Sequence, residues 1–166
     1  MSAEAAALWL QWLSDLLGAS GLDYLALFAS AFLAATILPM YSEVVVVALV
    51  LGGRDPALVW FVATLGNTLG AVLNWWLGLA LERWRETGRT PRWLRVPEAE
   101  FERARRWYLR FGIWSLLLAW LPVGGDALTF VAGVMRVRIL PFLVLVGSGK
   151  AARYGVVVVG VLAAGA

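Results

Sequence analysis

Apolar residues fill two blocks of the chain, roughly 24–82 and 112–166, and a charged stretch separates them. Neither block is a plain run. Residues 112–135 read GIWSLLLAWLPVGGDALTFVAGVM, with Pro122, Gly124, Gly125 and Asp126 at the centre. In the first block Pro39 and Glu43 interrupt the apolar sequence in the same way. A simple membrane span has no use for a helix breaker and a carboxylate at its midpoint. The pattern predicts two broken helical hairpins, each followed by an unbroken apolar helix. In the first, residues 24–38 and 44–53 form the arms. At about 1.5 Å per residue the longer arm reaches only about 22 Å, short of a hydrocarbon core of roughly 30 Å. Backbone groups freed at Pro39 and Pro122 must find partners inside protein or in a wet cavity. A single span over 28–51, kinked at Pro39, is the alternative.

The two blocks repeat each other. LPMYSE (38–43) and LPVGGD (121–126) each place a carboxylate four residues after a proline. At the same offset of 83 residues, Gly66-Asn67 matches Gly149-Lys150. Arg54 and Pro56 follow the first hairpin; Arg136, Arg138 and Pro141 follow the second. Several matches at one offset indicate an internal duplication. The domain division is therefore one membrane domain over 1–166. It comprises an N-terminal amphipathic segment (1–20), repeat 1 (24–82), a basic loop with an interfacial helix (83–111) and repeat 2 (112–166).

Composition fixes the class. The chain is 61% hydrophobic with mean hydropathy +0.78, as a small multi-pass membrane protein requires. It has no cysteine and no histidine, which removes disulfides, thiolate sites and the Ser-His and Cys-His dyads. No cofactor or metal site is expected. The start, MSAEAAALWL, has no Lys or Arg before its apolar residues and does not read as a signal peptide. Whether residues 1–20 cross the membrane or lie on it stays open.

Nine of the 14 Lys and Arg lie between Arg83 and Arg110, with four glutamates, a local charge of +9 − 4 = +5. The positive-inside rule puts this loop in the cytoplasm. Its place between apolar segments argues against nucleic acid as its partner. If both hairpins re-enter, each repeat crosses once, the repeats are inverted, and Arg136 and Arg138 also fall inside. Four ordinary spans would put those arginines outside. After Pro97, Phe101, Ala104, Tyr108 and Phe111 share one helical face and Arg103, Arg106 and Arg110 the other. That is a basic amphipathic helix for the lipid surface, with Trp107 at headgroup depth.

Polar residues inside the unbroken helices carry the candidate chemistry. Gly66, Asn67, Gly70, Asn74 and Gly78 fall within an arc of about 120°. The glycines suit close helix packing, which does not explain Asn67 and Asn74. Lys150, Arg153 and Tyr154 share one side of the last helix. Two cations there need partners, water or a snorkelling route to the interface. GSGK (147–150) is not a P-loop, since Val144 and Ala151 break the pattern. Ser42 and Glu43 stand at one hairpin tip, and Gly124, Gly125 and Asp126 at the other. Glu43 and Asp126 either face each other across a pocket or pair with Lys150 and Arg153.

These residues also carry a resemblance. ATILPMYSEVVVVALVLGG, ATLGNTLGAVLNWWLG, LPVGGDALTFVAGVMRV and GKAARY, spanning about Leu25 to Tyr154, resemble the DedA family of SNARE-associated, VTT-domain membrane proteins, and its short YqaA-like branch. The resemblance implies two facing re-entrant hairpins plus transmembrane helices. It also implies proton-dependent movement of polyprenyl-phosphate or phospholipid across a bacterial-type inner (plasma) membrane. Two departures stand out. The family's proline-glycine-glutamate turn is here Pro39-Met40-Tyr41-Ser42-Glu43, and its arginines near the second proline are replaced by Gly124, Gly125 and Asp126.

The expectation is an all-α integral membrane transporter of an anionic lipid or small anion, proton-coupled and not an enzyme. Glu43 and Asp126 exchange protons, and Lys150 and Arg153 hold the anion. Pro39, Ser42, Asn67, Asn74, Pro122, Gly124, Gly125 and Tyr154 break the hairpins or line the pocket. Partners are membrane lipids, the anionic substrate and protons; a homo-oligomer stays open. A structural or assembly factor is the alternative, and an intramembrane hydrolase using Glu43 and Asp126 as an acid–base pair is the third reading.

Overall fold

The computed structural model describes residues 19–36, 41–86, 98–121 and 124–165. Pro39, Pro122, loop residues 87–97 and the N-terminal segment up to residue 18 lie outside the described residues. The helices in order are α1 (Ala19–Ala34), α2 (Tyr41–Leu51), α3 (Pro56–Glu86), α4 (Glu98–Phe111), α5 (Gly125–Val134) and α6 (Ile139–Gly165). A 3-10 segment, Gly112–Trp120, stands between α4 and α5. No strand occurs among the described residues.

Helices α3 and α6 are long and apolar enough to cross a membrane. At about 1.5 Å per residue they reach about 46 and 40 Å, whereas α1, α2 and α5 reach only about 24, 16 and 15 Å. Local chemistry sets the start of α3. Asp55 Oδ1 accepts the Leu58 N–H at 2.7 Å, which makes it the N-cap before Pro56.

Helices α1 and α2 fold back on each other. Asp23, in the first turns of α1, accepts Nε and Nη2 of Arg54, just past the end of α2, at 2.9 and 2.5 Å. The open ends of the two arms therefore meet. Leu27 and Ala31 of α1 share a buried cluster with Val46 and Val50 of α2. The arms of the second hairpin also pack on each other, with Ala132 of α5 in one buried cluster with Leu116 and Ala119 of the 3-10 segment, and Gly125 lies against Ala119 beside the turn. A Cβ at Gly125 would come within 2.5 Å of the Ala119 carbonyl oxygen.

The arm before Pro122 is helical as expected, but of the tighter 3-10 kind, unusual over nine residues. Gly112, at φ 60, separates it from α4. The 3-10 form rises about 2.0 Å per residue, so the nine residues reach about 18 Å rather than about 14 Å.

Backbone bonds after the two hairpins correspond one to one. The N–H groups of Gly52, Gly53 and Arg54 donate to the carbonyls of Ala48, Val50 and Leu49. Those of Met135, Arg136 and Val137 donate to Val131, Gly133 and Ala132. Each bond of the second set lies 83 residues after one of the first. Gly53 (φ 78) and Arg136 (φ 53) take the left-handed conformation that ends each second arm.

Helix α3 packs against α1 and α5, α6 packs against the 3-10 segment and α2, and α3 and α6 pack on each other. Val59, Ala63, Asn67 and Ala71 are buried at four-residue intervals along one face of α3. Phe142, Val146, Lys150 and Tyr154 are their counterparts on α6. Helix α4 rests on the second hairpin through Tyr108, which touches the clusters around Leu116 and Leu128. Trp107 stays exposed.

Candidate functional site

Three turns into α6, Lys150, Arg153 and Tyr154 point between the two hairpin tips. Spacings of three and four residues put them on one face, and the small Gly147, Gly149 and Ala151 around Lys150 let other helices come near. Each side chain meets a partner distant in sequence.

The Arg153 guanidinium donates from Nε to Glu43 Oε1 at 2.7 Å, and from Nη1 to the Trp120 carbonyl at 3.1 Å. It thus joins the start of α2 to the end of the 3-10 segment. The Trp120 carbonyl is open to such a donor because carbonyls in the last turn of a helix have no partner within it. The Lys150 side chain is only 3% exposed. Its Nζ donates to Asn67 Oδ1 and lies 3.9 Å from Asp126 Oδ1. Burying an ammonium is costly unless an acceptor and an opposite charge stand by it, and both do. Asn67 Nδ2 donates to the Tyr154 hydroxyl at 3.0 Å, and that hydroxyl shares a 2.8 Å hydrogen bond with Ser42 Oγ.

The structure therefore groups Ser42, Glu43, Asn67, Asp126, Lys150, Arg153 and Tyr154. The carboxylates pair with cations: Glu43 takes Arg153, and Asp126 lies by Lys150. Two carboxylates and two cations leave this tetrad with no net charge when all four are ionised. Gly124 shapes the second tip with φ 87, which disfavours any residue with a Cβ.

Asn74 stands apart from the tetrad. Its Nδ2 donates to the Ala35 carbonyl at 2.8 Å and approaches Thr129 Oγ1 at 3.4 Å. It joins the end of α1 to α5. Pro39 and Pro122 fall outside the described residues, so their place relative to the tetrad is not part of this geometry.

Some contributors carried no sequence signal. A cavity of about 740 Å³ runs between the 3-10 segment and α6, with Glu43 and Arg153 among its lining residues. Leu117, Trp120, Ser148, Gly149, Ala152, Val156 and Val157 form the rest of its wall. All are residues of an apolar run, and nothing in the run says which of them will line a groove. Only the polarity of Ser148 set it apart, and its hydroxyl donates to the Leu145 carbonyl of its own helix.

Comparison with known proteins agrees with the membrane reading. The VTT domain's sequence profile matches residues 38–162. The chain is 42% identical over 134 residues to the inner membrane protein YqaA of Escherichia coli, covering 80% of this chain and 87% of that one. It is 33% identical over 136 residues to an uncharacterized protein of Haemophilus influenzae, covering 77% and 80%. A more distant relative, undecaprenyl phosphate transporter A of Staphylococcus aureus, is 24% identical over 90 residues, covering 52% and 44%. No solved structure matches the chain.

Proposed function

The chain belongs to the VTT-domain (DedA) family of membrane proteins, and on that premise we propose that it is a proton-coupled transporter of an anionic lipid rather than an enzyme. The observation that carries this reading is the charge-balanced tetrad of Glu43, Asp126, Lys150 and Arg153 among apolar helices. Ionisable residues at such depth mark substrate and proton pathways. The distant relative is named an undecaprenyl phosphate transporter, which favours a lipid phosphate as cargo. The Escherichia coli relative YqaA is named an inner membrane protein, which favours the same membrane here.

Charge balance suggests the coupling. An anionic head entering a neutral tetrad adds a net negative charge in a region of low dielectric. One proton taken up on Glu43 or Asp126 restores neutrality. Anion and proton would then bind together, one proton for each negative charge. Lys150 and Arg153 supply the attraction, and Asn67, Tyr154 and Ser42 hold Lys150 and the first tip in place. Glu43 leaves Arg153 as the head arrives.

We read the architecture as two inverted repeats with re-entrant hairpins, residues 24–82 and 112–166, joined by a cytoplasmic basic segment over 83–111. The 83-residue correspondence of turns and buried positions supports this. So does the exchange of partners, in which each long helix packs on the first arm of its own repeat and the second arm of the other. The Asp23–Arg54 pair speaks against one kinked span, which would hold those residues about 45 Å apart. Discontinuous helices meeting between inverted repeats are the general plan of secondary transporters.

The test is flux of polyprenyl-phosphate, phospholipid and inorganic phosphate in proteoliposomes, with and without a pH gradient. Wild type should move a lipid phosphate and respond to the gradient, and Lys150→Met/Arg153→Met should lose both. Unchanged flux and pH profile in that variant would reject the proposal. One observation favours a second reading: Arg153 bridges the two hairpins, as a structural lock would. A lock alone predicts that Glu43→Gln lowers stability and leaves flux untouched.

A further inference from the structure

The cavity beside the tetrad differs from it in character. The Glu43–Arg153 pair lies in its wall, and Leu117, Trp120, Ala152 and Val156 make up much of the rest. Those apolar residues are not core. Val156 is 74% exposed and Trp120 40% exposed, so the groove opens sideways on the outer surface of α6. In a membrane that surface faces lipid tails. Gly149 lets the 3-10 segment lie close at the base of the groove, since a Cβ there would stand 3.0 Å from the Leu117 carbonyl oxygen. A site for a water-borne anion needs no apolar trough open to the bilayer. A site for an amphiphile needs one, with a cation in its wall.

We infer that this groove holds one hydrocarbon chain of a bilayer-borne anionic lipid, entering sideways between the 3-10 segment and α6 with its head at Arg153. The inference rests on the transport reading and adds to it the place where the lipid's tail lies and the route by which it enters. Guanidinium presents a planar fork of donors that suits a phosphate or carboxylate head. Arg153 can pass such a fork from Glu43 to the head without moving along the groove. The chain then fills space whose walls are already apolar, and each buried methylene adds to binding.

The experiment uses the full chain in neutral-lipid vesicles. The probe is a single-chain alkyl phosphate with a photoreactive diazirine near the chain end. Controls are the same chain ending in an alcohol, and inorganic phosphate as competitor. Labelling is mapped by mass spectrometry. Wild type should be labelled on the 3-10 segment and around Ala152–Val156, by the phosphate far more than by the alcohol. Ala152→Trp and, separately, Val156→Trp fill the groove from exposed positions. Each should lower labelling about tenfold, the loss that about two unburied methylenes would give. Val144→Trp, exposed on the same helix but outside the groove, should change nothing.

Labelling spread over the outer faces of α3 and α6 and indifferent to both filling variants overturns the inference. So does inorganic phosphate that competes as well as an unlabelled alkyl phosphate, for then the chain contributes nothing. Groove labelling without flux would leave this inference standing and remove transport. Flux that survives both filling variants would do the reverse.

Discussion

Glu43→Gln should weaken the fold and strengthen anion binding, and the same interaction sets both effects. Glu43 Oε1 accepts Arg153 Nε at 2.7 Å, with side chains 34% and 14% exposed respectively. A hydrogen bond between charged groups contributes about 1.5–3 kcal/mol. Glu43 keeps a third of its surface open, so solvent screening puts this pair at about 1.5 kcal/mol, the low end. The amide keeps the shape and an acceptor oxygen but gives up the charge. Stability should fall by about 1–1.5 kcal/mol, a drop of about 3–5 °C for a chain of this size. In the wild type an anion must displace Glu43 from Arg153, so this same energy opposes binding. Removing the competitor should tighten an alkyl phosphate about tenfold, since 1.4 kcal/mol is a factor of ten. Thermal unfolding in one fixed detergent gives the first quantity, and vesicle binding titrations the second. Arg153→Met and the double variant complete a cycle, in which the double variant should cost less than the sum of the singles by about 1.5 kcal/mol. Weaker anion binding in Glu43→Gln would refute the competition argument. Single effects that add to within about 0.5 kcal/mol would refute the pairing itself.

Three further outcomes follow from other parts of the fold. Gly133→Ala drives a Cβ into the Trp75 carbonyl where α3 and α5 touch, and should cost about 1–3 kcal/mol of stability in thermal unfolding. Gly160→Ala, with nothing within 4 Å of the new atom, is the matched control and should cost nothing comparable. Asn74→Leu removes the donor to the Ala35 carbonyl and should lower stability by about 1–3 kcal/mol while leaving the pH profile of transport in place. A reporter fused after Ala166 should read extracytoplasmic, and a cytoplasmic reading would remove the re-entrant topology.

The sequence determined what depends on local chemistry. Backbone preferences act over a few residues, so Asp55-Pro56 marks the start of α3 and Gly53 the left-handed end of α2 without help from the rest of the chain. Apolar run lengths separated the two long helices from the short arms. The 83-residue register was legible because two copies of one local pattern keep their spacing. Helical periodicity also put Lys150, Arg153 and Tyr154 on one face before any partner was known.

Partner choice lay beyond that reach. From sequence, Glu43 and Asp126 facing each other and each pairing with a cation were equally open, because 110 residues separate Glu43 from Arg153 and no local preference spans them. Packing settled it: α6 lies against α2 and the 3-10 segment, while α3 brings Asn67 to Lys150. Asn67 and Asn74 look alike in sequence, two turns apart on one helix. Yet α3 crosses α6 at the first and lies between α1 and α5 at the second, so one asparagine joins the tetrad and the other ties two hairpins. The groove beside Arg153 was equally hidden, since apolar residues that line a cavity and those that fill a core obey the same periodicity. Only the distance between neighbouring backbones, set here by Gly149 against Leu117, decides which of them meet and which leave space.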